Sequence, residues 1–528
     1  MWLVAAGIAA LTVGVYWNTL DAGYVNWDDR GYIEQNPLVT GDGGLGAIWR
    51  DVFADKPREQ YYPALFSTYW IEYRIVGAEP RLYHAVQFAL HAANALLILL
   101  VMRQLGMPLF VAAAVATLFA VHPIHVASVT WLAERKNTLS GLFFWAALLF
   151  YIHHRRSPAA WRYAVAIGCF VLALFSKTAV VVLVPILVLT DRLLDGRWTL
   201  ASFRRATPFF ALSVVMTLVT MHVEKLMARG GTPIDVALRP FVAAAALVHY
   251  VVKLVAPYPL VPIYPRWGLS LAEPRYWISL LALAAAAAWL WRIRRRVAPA
   301  AWWGIGAFVF AAAPTLGLKH FNFLQYSFVS DHFIYLAAPG FLLVIGLLLH
   351  RLSLVGAPAA RPAVLPWLAL GVIAAVLGLL TVRQNRVWHN PETFWTHTLR
   401  YNAECFAAQY NLGNHYNRRG EYEKALERYV EAARIDDRLI NTRKSCANCC
   451  RRLNRPDEAV EWYRKAVAAG QKKNPRYTRV RLELADYLRS LGRHDEAREH
   501  YEAILKVRPN DAGALAGLRA LGAPRSSE

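Results

Sequence analysis

Two adjacent carboxylates, Asp28 and Asp29, lie in Asn26-Trp27-Asp28-Asp29, shortly after a first apolar stretch, Trp2–Trp17. Carboxylates at the mouth of a membrane span are costly unless they face water or a polar cavity. A carboxylate held there can take a proton from an acceptor hydroxyl, which is general-base chemistry. A solvated turn is the plainer reading of the same dipeptide, because Asp is common in turns. Other polar clusters also interrupt the apolar sequence: His122-Pro123-Ile124-His125, Glu134-Arg135-Lys136-Asn137, Ser176-Lys177-Thr178 and Ser330-Asp331-His332. Singly, each reads as a span terminus with interfacial or snorkelling side chains. His122 and His125 lack a third convincing ligand, so hydrogen-bonded structure is the expectation there and no metal site is expected.

The elements that must position these residues follow from composition. The chain has 528 residues, of which 56% are hydrophobic and 18% charged. Soluble domains carry about 25% charged residues. Long apolar runs recur to about residue 383 and then stop. This predicts a polytopic membrane domain over residues 1–385 and a polar helical tail over 386–528. The formal net charge is +22. Much of it sits in short loops between apolar runs, at Arg155-Arg156, Arg204-Arg205 and Arg292-Ile293-Arg294-Arg295-Arg296. That is the positive-inside pattern and an attraction to anionic membrane lipids, and it excludes a nucleic-acid binder, whose charge gathers on one domain face.

Expected spans are Trp2–Trp17, Tyr83–Met102, Leu109–Ser128, Thr138–Ile152, Trp161–Phe175, Ala179–Leu194, Pro208–Val223, Tyr276–Trp291, Ala301–Leu318, His332–Leu349 and Val364–Val382. Loop arginines then place Asp28-Asp29, Lys177 and the tail on the outer side. They also make Val236–Val255 re-entrant or surface-lying, for about 11 spans in all. The first span lacks a basic start and a clear cleavage site, so no cleavable signal is expected. Of the five cysteines, Cys169 reads as a packed residue of an apolar run. Cys405, Cys446, Cys449 and Cys450 read as core of the tail, with a disulfide possible if the tail is exported.

The tail repeats itself. Leu412-Gly413, Tyr416, Gly420, Ala425, Tyr429 and Ala432 fall at the spacings of a ~34-residue helix-turn-helix unit, which resembles the tetratricopeptide repeat. Ala459 and Ala466 continue the series, and Leu484-Ala485, Gly492, Ala497, Tyr501 and Pro509 form a third unit. Repeats are expected at 406–439, 440–473 and 478–511, after a leading half-repeat and before a capping helix.

The polar clusters also occur in a recognisable order. Asn26-Trp27-Asp28-Asp29 is followed by Tyr32 and Asn36-Pro37, then Tyr83-His84 and His91-Ala92-Ala93-Asn94-Ala95-Leu96. Next come His122-Pro123-Ile124-His125-Val126-Ala127-Ser128-Val129, Trp131-Leu132-Ala133-Glu134-Arg135-Lys136-Asn137, Ser176-Lys177 and Asp331-His332-Phe333-Ile334-Tyr335-Leu336. With the repeats, this set resembles the transmembrane-and-tetratricopeptide-repeat family of GT-C-fold glycosyltransferases, in a compact bacterial form. The resemblance implies an all-α chain: a GT-C-type membrane domain followed by a tetratricopeptide-repeat α-solenoid. It implies transfer of a hexose from a polyprenyl-phosphate donor to a hydroxyl, on protein Ser or Thr, outside the cytoplasm of a bacterial inner membrane. The implied partners are membrane lipids, the lipid-linked sugar and a protein or peptide acceptor bound by the repeat groove. The resemblance assigns the acceptor-side catalytic role to Asp28 and Asp29.

For the donor phosphate or its cavity, the candidates are His122, His125, Glu134, Arg135, Lys136, Lys177, Asp331 and His332. Cations near a lipid headgroup suit an anionic leaving group. Two positions depart from the family: Asp331-His332 replaces its usual Asp-Arg, and Tyr62-Pro63 its His-Pro. No cofactor is expected, since a sugar phosphate is already a competent leaving group and no Gly-rich nucleotide loop is evident. The alternatives are a non-catalytic membrane scaffold that assembles envelope proteins through the repeats, and a transferase that modifies lipid-linked glycans.

Overall fold

Helices make up most of the described chain, in keeping with runs of apolar sequence that lack strand periodicity. A computed structural model describes residues 1–53, 60–226, 234–319, 321–354, 364–436, 439–470 and 475–522, and contains no strand among them. Two compact units result, Met1–Phe394 and Trp395–Glu528, with the division nine residues beyond the expected one at 385.

At the centre of the first unit is the helix Leu109–Val121, in which every residue from Phe110 onward is buried. A helix apolar on all sides belongs inside a bundle. It packs on Pro80–Gln104 and on Ala338–Leu354, while Arg135–Arg156 packs on Pro80–Gln104 and Ala160–Ser176. The periphery shows the opposite pattern. Trp277, Ile278 and Leu281 on Pro274–Ile293 are exposed, as are Leu365, Leu368, Val372 and Leu379 on Val364–Asn385. Long helices with exposed apolar faces fit a lipid surrounding and a multi-pass membrane protein.

Among the described residues, five helical segments are long and apolar enough to cross a membrane: Trp2–Asp21, Pro80–Gln104, Leu200–Glu224, Pro274–Ile293 and Val364–Trp388. Leu109–Thr130 makes a sixth if counted as one span bent by 50°. The other five expected spans correspond to Arg135–Arg156, whose ends are charged, and to helices of 13 to 17 residues. Two of those start or stop away from the expected ends. Ala301–Leu318 is helical only to Ala312 before a 3-10 turn, and the helix expected from His332 begins at Ala338. The count of eleven therefore corresponds to eleven helical segments, of which five or six have the length and composition of a full span.

The bend has a sequence cause. Pro123 cannot continue a helix, so Leu109–Val121 stops and its last carbonyls need partners. His91 Nε2 lies 3.2 Å from Ala120 O, and Thr381 Oγ1 donates to Val121 O at 2.6 Å. The Val236–Val255 stretch forms the helix Arg239–Val255. The proline-rich segment after it is folded inward, with Leu260, Val261, Ile263 and Tyr264 buried.

One ion cluster ties three helices together far from the polar clusters of the sequence. Asp191, fully buried on Leu183–Asp195, accepts from Arg155 Nε at 2.7 Å and from both Nε and Nη2 of Arg205, at 2.9 and 2.6 Å.

The second unit is a stack of helix pairs: Phe406–Arg418 with Tyr422–Ile435, Ile440–Arg452 with Pro456–Ala468, and Pro475–Ser490 with His494–Leu505, followed by Ala512–Gly522. Residues 437–438 and 471–474, at the expected repeat junctions, lie outside the described residues. Close approach within a pair needs small residues: a Cβ on Gly413 would sit 2.7 Å from the Tyr429 ring. Cys405, Cys446, Cys449 and Cys450 are buried free thiols of this core.

Replacing Asp191 by alanine removes the buried acceptor and leaves Arg155 and Arg205 sharing only the partly exposed Asp195. Breaking such a buried pair costs about 3–5 kcal/mol. Thermal unfolding of the purified Asp191→Ala protein in detergent should show a midpoint several degrees lower, and an unchanged midpoint would contradict the cluster's structural role.

Candidate functional site

Asp29 and Asp28 are adjacent but not equivalent. Asn26 takes a left-handed conformation, φ 58°, which turns the chain so that Asp29 points inward. Asp29 is 1% exposed, and its carboxylate accepts two backbone N–H groups: Val25 on Oδ2 at 3.1 Å and Ala133 on Oδ1 at 2.9 Å. It therefore pins the loop after the first helix to the Trp131–Glu134 turn. Burial raises its pKa to about 7; the two N–H donors oppose this, and the charges of Asp28 and Glu134 add to it. Asp28 remains half-exposed and is near enough to Lys136 to be felt electrostatically.

Glu134 is the hub of the cluster. It is buried at the end of a short 3-10 turn just before the helix Arg135–Arg156. Lys136 Nζ lies 2.8 Å from Oε1, His332 Nε2 lies 3.7 Å from Oε1, and Lys177 Nζ lies 3.9 Å from Oε2. Burial alone would raise the pKa of Glu134, but His332, Lys136 and Lys177 outweigh it and hold the group at about 2. For Lys177 burial wins: desolvation lowers it to about 8 despite Glu134. Asn137 binds the cluster together. Its Nδ2 lies 2.7 Å from Glu134 Oε2, 3.1 Å from Ser128 Oγ and 3.1 Å from His332 O, and its Oδ1 accepts from Lys177 Nζ at 2.5 Å. Tyr62 closes one side, paired with Thr178 and within electrostatic reach of Lys136. Lys136 also lies over the Tyr32 ring, 5.3 Å from its centroid.

The structure thus brings Asp28, Glu134, Lys136, Lys177 and His332 into one polar string. Four other candidates lie elsewhere. Arg135 is fully buried and turned away from the string. It pairs with Glu72 at 2.5 Å, donates to Gln87 Oε1, Thr68 Oγ1 and Tyr83 O, and stacks on the Tyr69 ring at 4.7 Å. Those contacts occupy the guanidinium fork, which corrects its assignment to a donor phosphate. His122 caps its own turn through Ile124 N–H and lies 3.1 Å from Leu254 O. His125 is packed among Phe119, His91 and Tyr335. Asp331 accepts from Tyr264 at 2.8 Å, and burial raises its pKa to about 7. No group of three or more His, Cys, Asp or Glu converges as a metal set among the described residues.

The sequence pattern does not single out Asn137 or Tyr62 as site residues. Asn137 ends the Glu134-Arg135-Lys136-Asn137 cluster, but the role of an uncharged amide shows only through its partners. Tyr62 stands out only through the departure at Tyr62-Pro63. An apolar cavity of about 770 Å3 opens four residues beyond Lys177, lined by Val181, Val184, Val188, Phe210, Val214 and Leu218 among others.

Comparison with known proteins covers the tail first. Tetratricopeptide-repeat models match residues 404–472 and 451–521. The tail is a tetratricopeptide-repeat array. Across 95% of its length the chain is similar to Protein O-mannosyl-transferase TMTC3 of Mus musculus, at 22% identity, and to its Homo sapiens counterpart at the same identity. Protein O-mannosyl-transferase Tmtc1 of Drosophila melanogaster is 34% identical over 28% of this chain and 18% of its own length. These relatives bear out the resemblance read from the ordered motifs. The chain spans 60% of the length of the two mammalian proteins. A solved oligosaccharyltransferase of Archaeoglobus fulgidus, tethered with an acceptor peptide, aligns with 80% of this chain and 58% of its own, at 13% identity and a TM-score of 0.41.

Replacing Arg135 by methionine would leave the Glu72 carboxylate buried and unpaired, a loss of about 3–5 kcal/mol. The Arg135→Met protein should be recovered poorly from membranes, and adding Glu72→Gln should restore part of the yield. Equal recovery of Arg135→Met and the parent protein would return Arg135 to the candidate donor residues.

Proposed function

We propose that the chain is an integral-membrane glycosyltransferase that moves a hexose from a polyprenyl phosphate to a protein Ser or Thr hydroxyl. In this reading the polar string and the repeats lie on the periplasmic side of a bacterial cytoplasmic membrane. The observation that carries the proposal is the polar string itself: a half-exposed carboxylate near Lys136, which shares one buried glutamate with Lys177. Three further points support it. The curated relatives are named protein O-mannosyl-transferases. The apolar cavity beginning at Val181 suits an isoprenoid tail whose phosphate sits near Lys177. The tail is of a kind that presents grooves to polypeptides.

The chemistry is a displacement at the anomeric carbon. Asp28 takes the proton from the acceptor hydroxyl while the oxygen bonds to the sugar C1. The bond from C1 to the phosphate oxygen breaks, and the polyprenyl phosphate leaves as an anion. Lys136 and Lys177 stabilise the charge that grows on that oxygen. Glu134 keeps the two ammonium groups together when no phosphate is present. Asp29 positions Asp28 by fixing the loop and does not contact substrate.

Asp28→Asn should lose about 10²–10⁴-fold in transfer, the usual contribution of a general base, while its thermal stability and donor binding stay unchanged. Asp29→Asn should lose both transfer and stability, because an amide can accept from only one of the two backbone N–H groups while its own NH2 opposes the other. Linkage separates them further. A buried carboxyl whose pKa is raised to about 7 adds stability that is complete below about pH 4 and lost as pH rises through 7. That slope should become shallower in Asp29→Asn, with Asp331, also raised to about 7, supplying the part that remains, and should persist whole in Asp28→Asn. Full activity in Asp28→Asn would refute its role as base.

Lys177 provides a pH test. Its charge fades as pH rises through about 8, so the affinity of the free enzyme for a polyprenyl-phosphate sugar should weaken above that value. In Lys177→Met binding should be weaker at every pH and flat between pH 7 and 9. A parent protein with no pH dependence in that range would remove Lys177 from donor recognition.

A further inference from the structure

A displacement at C1 fixes where the sugar must lie: between the acceptor oxygen at Asp28 and the phosphate at Lys136 and Lys177. A chain of aromatic rings links those two ends. Trp27, next to Asp28 in sequence, is half-buried and meets the Tyr326 ring with centroids 5.2 Å apart, at 71°. Tyr326 meets Phe323 at 6.2 Å, and Phe323 meets His332 at 5.5 Å. His332 Nε2 in turn lies 3.7 Å from Glu134 Oε1. Ring contacts therefore run without a break from the residue beside the proposed base to the cluster that holds the two lysines.

The segment that supplies two of these rings is uncharged. Residues 321–329 hold four aromatic rings and two amides and no acid or base, although they lead directly toward Asp331-His332. The fold sorts their side chains by role. Leu324 and Phe328 are buried in one apolar cluster with Val242, Ala245 and Tyr276, and so anchor the 3-10 turn Asn322–Gln325. Ser327 Oγ donates to Val329 O at 2.9 Å and fixes the exit from the turn. With those anchors turned inward, Tyr326 is 38% exposed, Phe323 is half-buried, and Asn322 and Gln325 are exposed. Neither of these two side-chain amides makes a hydrogen bond among the described residues.

Rings and amides without charge match one kind of ligand. The face of an aromatic ring is electron-rich, and the C–H groups along one face of a pyranose carry the complementary partial charge. The hydroxyls of the sugar need both donors and acceptors, and an amide supplies both. Binding sites for small neutral molecules combine apolar walls with a few placed polar groups in this way. A uronate or an amino sugar would bring a charge that nothing in residues 321–329 answers.

We infer that Trp27 and Tyr326, with the amides of Asn322 and Gln325, form the subsite for an uncharged hexose. The inference rests on the transferase reading, which is what places a sugar between Asp28 and the lysines.

The test measures the affinity of the full-length protein in neutral detergent for bare polyprenyl phosphate, polyprenyl-phosphate mannose and polyprenyl-phosphate glucuronate. The quantity read is the affinity for the mannose carrier divided by that for the bare phosphate, which isolates the sugar. This ratio should fall about fivefold in Tyr326→Ala and in Trp27→Leu, as the loss of one aromatic contact implies. It should also fall when Asn322→Ala and Gln325→Ala are combined. Affinity for bare polyprenyl phosphate and the thermal midpoint should stay unchanged in Tyr326→Ala, and Tyr326→Phe, which keeps the ring, should keep the ratio. In the parent protein the glucuronate carrier should bind more weakly than the mannose carrier. A ratio that any of the three changes leaves untouched, an equal loss of affinity for the bare phosphate, or glucuronate bound as tightly as mannose would overturn this inference alone. A parent protein that binds none of the three carriers would instead overturn the transferase reading, and the subsite with it.

Discussion

A carboxylate cannot stay ionised inside a low-dielectric bundle without positive charge around it. Glu134 meets that condition with Lys136, Lys177 and the Asn137 amide, and the rest of the polar region is arranged around this requirement. The turn that carries Glu134 is the one whose backbone N–H holds Asp29. The helix that follows carries Lys136 and Asn137 on its first turn. Lys177 comes from a separate hairpin turn, and His332 from the approach to another helix. One buried charge thus fixes the relative positions of four segments that are far apart in sequence.

The same condition explains which cations stay available. Arg135 lies next to Lys136 in sequence but faces the other way, because successive helical residues point about 100° apart. Its fork is consumed by Glu72 and three neutral oxygens. The lysines share a single buried glutamate and keep part of their surface open, at 12% and 16% exposure against 0% for Arg135, which leaves them within reach of an anionic ligand.

Much of this was legible in the sequence. The apolar runs and the repeat period followed from composition and spacing, and the ordered polar motifs carried the family resemblance that implied the helical class. What could not be read was direction. Asp28 and Asp29 are identical in type and adjacent, and which of them points inward shows only in the turn at the left-handed Asn26 and in the two backbone N–H groups that Asp29 accepts. The span count fared less well for a related reason. Hydropathy registers apolar residues whether they face lipid or a protein core, and the helix Leu109–Val121 is apolar because it is surrounded by protein. Breaks such as Pro123 then shorten helices that composition alone would extend.

The partners of that break bear on how the chain is made. Val121 O is capped by Thr381, Thr130 donates to Asn385, and Asn385 also donates to Val15 O. Polar groups from the first third of the chain therefore wait for a helix that leaves the ribosome some 250 residues later. During synthesis they can be satisfied only by water, by lipid headgroups or by the insertion machinery. The last apolar helix completes these hydrogen bonds, so it acts as a keystone set at the end of construction. Quality control that samples unsatisfied polar groups in the bilayer would read its arrival as the sign that the membrane unit is complete.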